Sequence, residues 1–222
     1  MVRMNREEDS TMRTTVTYLF DPLCGWCYGA SPVIQQLAQQ TGIQLELAPT
    51  GLFAGGGRTM DAAFADYAWS NDVRIAKLTG QCFTEDYRHN VLGRHGSRFD
   101  SAATTLALTA VFLTAPQREL EALKALQEAR YVQGLDTCDV LVVETLLRDL
   151  GLAVAADRLA ENDVELLAAN AARIQKAQGL MHTFGAQGVP ALVVTDGHGS
   201  RLLPGNALYG SLDSVLSHIA AA

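Results

Sequence analysis

Two cysteines separated by two residues, Cys24 and Cys27, are the side chains of this sequence with the clearest chemistry. They follow an apolar run, residues 16–20, of the kind that forms a buried strand. If a helix begins at or just after Cys24, the unpaired N–H groups of its first turn and its dipole stabilise a thiolate there. Cys27 then lies about one turn away on the same face, close enough to attack a disulfide formed at Cys24. The spacing predicts a redox pair in which Cys24 is the nucleophile and Cys27 the resolving thiol.

A CxxC pair is also half of a zinc site, or simply two cysteines on an ordinary helix. A structural zinc site would need two more ligands. The chain offers Cys82, Cys138 and five histidines, but these form neither a second CxxC pair nor an HxxxH pair. The sequence therefore predicts no metal and no cofactor, and Cys82 and Cys138 are expected to be free thiols.

A second informative segment, residues 184–194, leads from a glycine-flanked turn through the Val189-Pro190 bond into an apolar run. Proline at the first residue of a strand avoids breaking a hydrogen bond of the sheet. The structure of a strand alone therefore explains the position of Pro190. Together with the CxxC pair, the same position also indicates a functional role.

Together the two segments resemble the active site of the DsbA family of thioredoxin-fold thiol:disulfide oxidoreductases, in its FrnE-like branch. Residues 20–32, which contain Cys24-Gly25-Trp26-Cys27, are similar to the active-site segment of that branch, and Gly188-Val189-Pro190 is similar to its cis-proline loop. The resemblance implies that Pro190 follows a cis peptide bond and faces the two cysteines. It also implies that the backbone of Val189 pairs with the extended chain of a bound substrate.

Three further side chains lie near these motifs or could approach them. Trp26 offers an apolar contact for a substrate, although packing against a helical cap explains it equally well. Asp21 either shapes the turn that it begins with Pro22, which is the more common role, or assists proton transfer at the resolving thiol. His182 is interpreted as a partner of a helix C-terminus rather than as a catalytic residue.

The predicted elements follow the order strand, helix, strand, long helical stretch, two strands, helix, which indicates an α/β protein. Residues 15–50 are the first part of a thioredoxin-like domain, and 186–222 are its second part, with the Val-Pro loop, two strands and a C-terminal helix. Residues 51–185 form a large helical insertion domain of the DsbA type, and residues 1–14 are a disordered or tag-like N-terminus. Periodic apolar residues predict helices over residues 60–77, 101–113, 117–133, 138–150 and 164–178.

Composition narrows the classes of partner. The chain has 222 residues, 48% of them hydrophobic, and a formal net charge of −7 with scattered basic residues, which argues against nucleic-acid binding. No signal peptide and no membrane-spanning run are visible in the sequence. We therefore expect a cytoplasmic protein, in which the Cys24–Cys27 pair cycles between dithiol and disulfide rather than forming a permanent crosslink.

The leading functional hypothesis is a thiol:disulfide oxidoreductase, similar to protein disulfide isomerases, that exchanges with protein or small-molecule thiols and disulfides. Its site residues are Cys24 and Cys27 for catalysis, with Trp26, Val189 and Pro190 for substrate binding. A first alternative is an isomerase or glutathione-conjugating enzyme of the kappa-transferase and chromene-carboxylate isomerase type, which the retained cysteine pair disfavours. A second alternative is a non-enzymatic module that holds zinc or binds a partner.

Overall fold

The computed structural model describes residues 14–221, in which a four-stranded mixed sheet carries the site. The strand order is β2-β1-β3-β4, with β1 parallel to β2 and antiparallel to β3, and β3 antiparallel to β4. Of the segment predicted to be disordered, residues 1–13 lie outside the described residues, and Thr14 is the first residue of β1. The strands are β1 (Thr14–Phe20), β2 (Ile43–Pro49), β3 (Ala191–Asp196) and β4 (Gly199–Leu202).

Helix α1 (Gly25–Leu37) begins directly after Cys24, as the spacing predicts, and joins β1 to β2. Cys24 has an extended backbone and occupies the N-cap position. A parallel pair of strands needs such a crossover connection, and a helix is its usual form. Strand β1 therefore ends just before the segment that carries the two cysteines.

The long elements between β2 and β3 are all helices, as predicted for residues 51–185. The predicted helices correspond to α2, α4, α5, α6 and α8, whereas α3 and α7 are short and were not predicted. Helix α8 extends beyond residue 178 because its C-cap is Gly185, which adopts a left-handed conformation with φ 66°. The helices are α2 (Ala62–Thr79), α3 (Glu85–Tyr87), α4 (Ala102–Thr114), α5 (Glu119–Tyr131), α6 (Val140–Asp149), α7 (Ala153–Glu161) and α8 (Val164–Phe184).

After β4 the chain makes a 3₁₀ turn, Gly205–Tyr209, and ends in α9 (Leu212–Ala220). The side chain of Ser211 accepts a hydrogen bond from the backbone N–H of Ser214 and caps α9. In the described part of the chain, no helix combines the length and the apolar character needed to cross a membrane.

One hydrophobic cluster joins the sheet to the helices of the insertion. It contains buried residues of β1, α1, β3 and α9 together with residues of α4 to α8. A second cluster contains residues of α1, α2, α3 and α5 and of the segments beside them, and it is rich in aromatic rings: Tyr28, Tyr87, Phe99 and Tyr131. The helical region is therefore packed against the cysteine-bearing end of the sheet.

Two glycines of α1 allow α2 to approach closely. A Cβ on Gly25 would lie 2.5 Å from Asp72 Oδ1, and a Cβ on Gly29 would lie 2.6 Å from Ile75 Cγ2. Both distances are shorter than real Cβ contacts, so a side chain at Gly25 would displace Asp72 and one at Gly29 would displace Ile75. Ile75 is fully buried in this contact.

Candidate active site

The two cysteines stand at the start of α1, both buried. Cys24 is 6% exposed and Cys27 is completely buried one turn further along the helix. Both are free thiols in this structure, as are Cys82 and Cys138. Of the two residues only Cys24 has exposed surface, which is the arrangement expected of an attacking thiol with a protected resolving partner.

The Val-Pro loop faces the first cysteine. The Val189–Pro190 peptide bond is cis, as the resemblance implies, and the thiol of Cys24 donates a hydrogen bond of 3.5 Å to the carbonyl oxygen of Val189. These residues are 165 positions apart in the chain. The antiparallel pairing of β3 with β1 brings them together, because the loop enters β3 just where β1 runs toward Cys24.

The carboxyl group of Asp21 organises the segment before Cys24. Its Oδ1 accepts a hydrogen bond from the backbone N–H of Leu23 at 2.9 Å, which is the turn-forming role predicted for it. Its Oδ2 accepts hydrogen bonds from the backbone N–H of Phe53 at 3.1 Å and from the hydroxyl of Ser101 at 2.8 Å. Burial raises the pKa of Asp21, while these three donors oppose the rise.

Burial also determines the pKa of the Cys27 thiol. It raises the pKa of Cys27 well above its ordinary value, the neighbouring Cys24 adds to the rise, and a backbone hydrogen bond from Asp21 opposes it. The hydroxyl of Tyr18 on β1 donates to the backbone carbonyl of Cys27 at 3.2 Å and fixes the first turn of α1 to the sheet. Burial therefore favours the neutral thiol form of Cys27.

Trp26, between the cysteines, is half-buried and contacts two parts of the chain. Its ring lies 5.1 Å from that of Tyr209, in the 3₁₀ turn before α9, and the guanidinium of Arg74 on α2 lies 5.7 Å from its centroid. The packing partner of Trp26 is therefore an aromatic ring of the C-terminal part as well as a side chain of the helical region. Its remaining surface borders a cavity beside Cys24.

This cavity, of about 160 Å³, lies between the start of α1 and the helical region. Apolar and aromatic side chains form most of its wall, and Tyr131 of α5 anchors that wall by donating a 2.8 Å hydrogen bond to the backbone carbonyl of Leu23. Asp72 of α2 is the acidic side chain in the wall. Sequence reasoning did not find Phe53, Asp72 or Tyr131. Phe53 lies in a turn, and the helical patterns of Asp72 and Tyr131 carry no sign that these residues converge on the cysteines.

The remaining candidates lie elsewhere. His182 is exposed in the last turn of α8, where its carbonyl accepts the N–H of the Gly185 cap, consistent with the predicted helix-end position. Cys82 is exposed, and Cys138 is partly buried with its sulfur 3.9 Å from Nη1 of Arg130. Within residues 14–221, no group of three or more His, Cys, Asp or Glu side chains is arranged to hold a metal ion.

A thioredoxin-like sheet with a CxxC pair at the start of its first helix and a cis-proline loop opposite defines a class of proteins, the thiol:disulfide oxidoreductases. Residues 15–217 match the model of the DSBA-like thioredoxin domain. The chain belongs to this family, and it is an enzyme of thiol:disulfide exchange. The match begins in β1 and ends inside α9, so the family covers the helical region as well as the sheet.

Solved structures give the same fold over nearly the whole chain. The cytosolic disulfide reductase DsbM from Pseudomonas aeruginosa is 30% identical, with a TM-score of 0.82, over 94% of this chain and 100% of that one. The structure of the same reductase with GSH is 31% identical, with a TM-score of 0.77, over 93% and 96% of the two chains. A comparison with curated proteins finds no match.

Proposed function

We propose that this enzyme reduces disulfides through Cys24 as the attacking thiol and Cys27 as the resolving thiol. The observation that carries the assignment is the asymmetry of the pair. Cys24 is the N-cap of α1 with its sulfur toward the Val189 carbonyl, and Cys27 is sealed one turn below it. The positive end of the α1 dipole stabilises the negative charge that Cys24 sulfur carries during exchange.

In the proposed reaction the thiolate of Cys24 attacks one sulfur of a substrate disulfide. A mixed disulfide forms at Cys24 as the substrate S–S bond breaks, and the other substrate sulfur leaves as a thiolate and then takes up a proton. Cys27 then loses its proton and attacks Cys24 sulfur, so the second substrate thiol leaves and the Cys24–Cys27 disulfide remains. The enzyme pair loses two electrons and the substrate disulfide gains them.

Val189, Pro190 and Trp26 form the proposed substrate seat around Cys24. The Val189 carbonyl, which holds the Cys24 thiol in this structure, is free to accept a backbone N–H of an extended substrate when the thiol reacts. Pro190 is buried beside it, and half-buried Trp26 supplies an apolar surface next to the attacking sulfur. We propose this seat for protein disulfides and small disulfides alike.

We place the reaction in the cytoplasm, in the reducing direction. The similarity to a cytosolic disulfide reductase supports both parts of this proposal, and the GSH in one structure of that reductase supports a small thiol as the partner that restores the dithiol. In a reducing compartment the resting state of a CxxC pair is the dithiol. The dithiol is also the form that attacks disulfides.

Trapping experiments test the two roles. Cys27→Ser, in a background with Cys82 and Cys138 replaced by serine, is expected to accumulate mixed disulfides with protein or small-molecule partners, because the second attack is lost. The matched Cys24→Ser variant is expected to accumulate none. Non-reducing gels and intact mass measure both.

The opposite pattern, with trapping at Cys27, would contradict the assignment of roles. Full small-molecule transferase or isomerase activity in a Cys27→Ala variant would instead favour the isomerase or glutathione-conjugating alternative. Stoichiometric zinc lost on replacement of either cysteine would favour the zinc-holding alternative.

A further inference from the structure

Asp72 is a buried carboxyl group in the wall of the cavity beside Cys24. It is 4% exposed, and its Oδ1 lies against Gly25, the residue between Cys24 and Trp26. Among the described residues its carboxyl accepts a hydrogen bond from the Tyr87 hydroxyl, at 3.0 Å, through Oδ2. Oδ1 receives no hydrogen bond from residues 14–221. A carboxylate oxygen that has no donor from the protein keeps the capacity to accept a hydrogen bond from a ligand that enters the same cavity.

The charged and titratable groups around Asp72 come from three directions. Tyr87 of α3 and Tyr131 of α5 present neutral hydroxyls, and Cys24 stands at the start of α1. Arg130 of α5 is fully buried, with its guanidinium 5.8 Å from the Tyr87 ring and 5.6 Å from the Phe99 ring, and its charge acts on Asp72 from outside the cavity lining. Arg74, on α2 itself, is exposed over Trp26, where solvent screens its charge.

No lining side chain of the cavity, in the described part of the chain, carries a positive charge. Apart from Asp72, its lining side chains in the described chain are apolar or uncharged, so a positive group that enters would contact Asp72 and no basic side chain of the wall. Arg130 and Arg58 lie behind the lining rings of Phe99 and Phe64. A volume of about 160 Å³ accommodates a short aliphatic chain with an ammonium group rather than a whole peptide. Apolar walls with one acidic oxygen suit that chemistry, because the aliphatic part packs and the charged end is paired.

We propose that Asp72 is a specificity-determining residue, which selects disulfides that carry an ammonium group close to the reacting sulfur. Oδ1 accepts a hydrogen bond from that group while the sulfur stands in front of Cys24. This inference rests on the proposed function and adds the substrate class. It concerns the fragment next to the disulfide and applies equally to a small amine disulfide or to a protein cysteine beside a cationic residue.

Three small disulfides of different charge test it: cystamine, with two ammonium groups, neutral 2-hydroxyethyl disulfide, and anionic 3,3′-dithiodipropionate. The fully reduced enzyme, with Cys82 and Cys138 replaced by serine, is mixed with each, and oxidation is followed in a single turnover by acid quenching and mass. The enzyme dithiol supplies both electrons, so no other reductant is needed. Each turnover yields one Cys24–Cys27 disulfide and two small thiols.

The quantity of interest is the rate with cystamine divided by the rate with the neutral disulfide. At pH 8 this ratio is expected to fall about tenfold in Asp72→Asn, because the charge is lost while an acceptor for Tyr87 remains. Asp66→Asn, an exposed carboxylate on the same helix, is the matched control and leaves the ratio unchanged. A ratio of two rates on one enzyme cancels any general change in Cys24 reactivity.

The same ratio has a pH dependence that a purely structural residue lacks. Burial raises the pKa of Asp72 to about 7, and the hydrogen bond from Tyr87 and the charge of Arg130 oppose the rise. The wild-type ratio is therefore expected to increase between pH 6 and pH 8 as Asp72 ionises, while the amines of cystamine stay protonated. Tyr87→Phe removes one opposing contact, so the increase moves to higher pH.

Each outcome decides a different point. An unchanged ratio in Asp72→Asn, or a wild-type ratio that is flat with pH, would overturn the role of Asp72. If Asp72→Asn does not fold, the shifted or unshifted pH profile of Tyr87→Phe decides instead. If none of the three disulfides oxidises the wild-type enzyme, the proposed disulfide reduction itself fails.

Discussion

Asp21 and Asp72 are both buried carboxyl groups near the cysteines, but their surroundings differ. Asp21 accepts three hydrogen bonds and fixes the turn before Cys24, whereas Asp72 accepts one from Tyr87. A fully satisfied buried carboxyl supports the backbone around it, while a partly satisfied one keeps capacity to bind. Asp21 therefore supports the structure of the site, whereas Asp72 is the group that we propose to bind the substrate.

The raised pKa of Asp72 predicts an effect on stability. In the unfolded chain an aspartate titrates near its ordinary value of about 4, whereas in the folded protein Asp72 titrates at about 7. The protonated form is favoured by folding, so this contribution to stability is present below about pH 4 and is lost as pH rises through 7. Asp72→Asn has no such loss and is expected to gain stability over wild type by on the order of 3 kcal/mol between pH 4 and pH 8.

Urea unfolding at pH 4.5 and at pH 8 measures this difference. Glu119, whose pKa burial also raises to about 7, contributes equally to both proteins and cancels. Asp66→Asn again serves as the exposed control, with no pH-dependent gain. A stability difference between Asp72→Asn and wild type that stays constant with pH would contradict a buried, titrating carboxyl at this position.

At the scale of elements, the contact between α1 and α2 fixes the distance from the cysteines to the helical wall of the cavity. Gly25 and Gly29 lie four residues apart, on the same face of α1, and both face α2 at Ile75. The glycines are required by space rather than by backbone conformation. Gly25, between the two cysteines, and Gly29 therefore serve the packing of α1 against α2.

Gly29→Ala tests this packing. The new methyl group would meet Ile75 Cγ2 at 2.6 Å, and since Ile75 is fully buried the variant is expected to lose about 1–3 kcal/mol of stability. Gly179→Ala, on α8 where a Cβ meets nothing within 4 Å, is the matched control. It is expected to gain about 0.5–1 kcal/mol from helix propensity. Equal effects of the two substitutions on the melting temperature would show that α1 and α2 are not in tight contact.

At the scale of the whole molecule, segments that lie far apart in the chain come together to form the site. The family match over residues 15–217 and the shared core of sheet and helices indicate that the helical region and the sheet act as a unit. Cys24 and Cys27 come from the first βαβ unit, Val189 and Pro190 from the second part of the sheet, and the cavity wall from the helices between. Neither half of the sheet alone contains the proposed substrate seat.

The sequence was sufficient for the parts of the site that are local in the chain. The spacing of Cys24 and Cys27 placed a helix start between them, and the family resemblance placed Pro190 opposite. The cavity was beyond sequence reasoning because its residues come from α2, α3 and α5, and helical periodicity shows which face is buried but not what it is buried against. Asp72 in particular occupies an apolar position of α2, where a pattern of hydrophobic residues gives no reason to expect a carboxyl group.

The equilibrium redox potential of the Cys24–Cys27 pair tests the central claim most directly. The enzyme, with Cys82 and Cys138 replaced by serine, is equilibrated in glutathione and dithiothreitol buffers, and the disulfide fraction is measured by alkylation and mass. A cytoplasmic reductase is expected to show a reversible two-electron couple near the thioredoxin value of about −270 mV. A potential near the DsbA value of about −120 mV would contradict the reducing direction, and the absence of any reversible disulfide would contradict thiol:disulfide exchange by this pair.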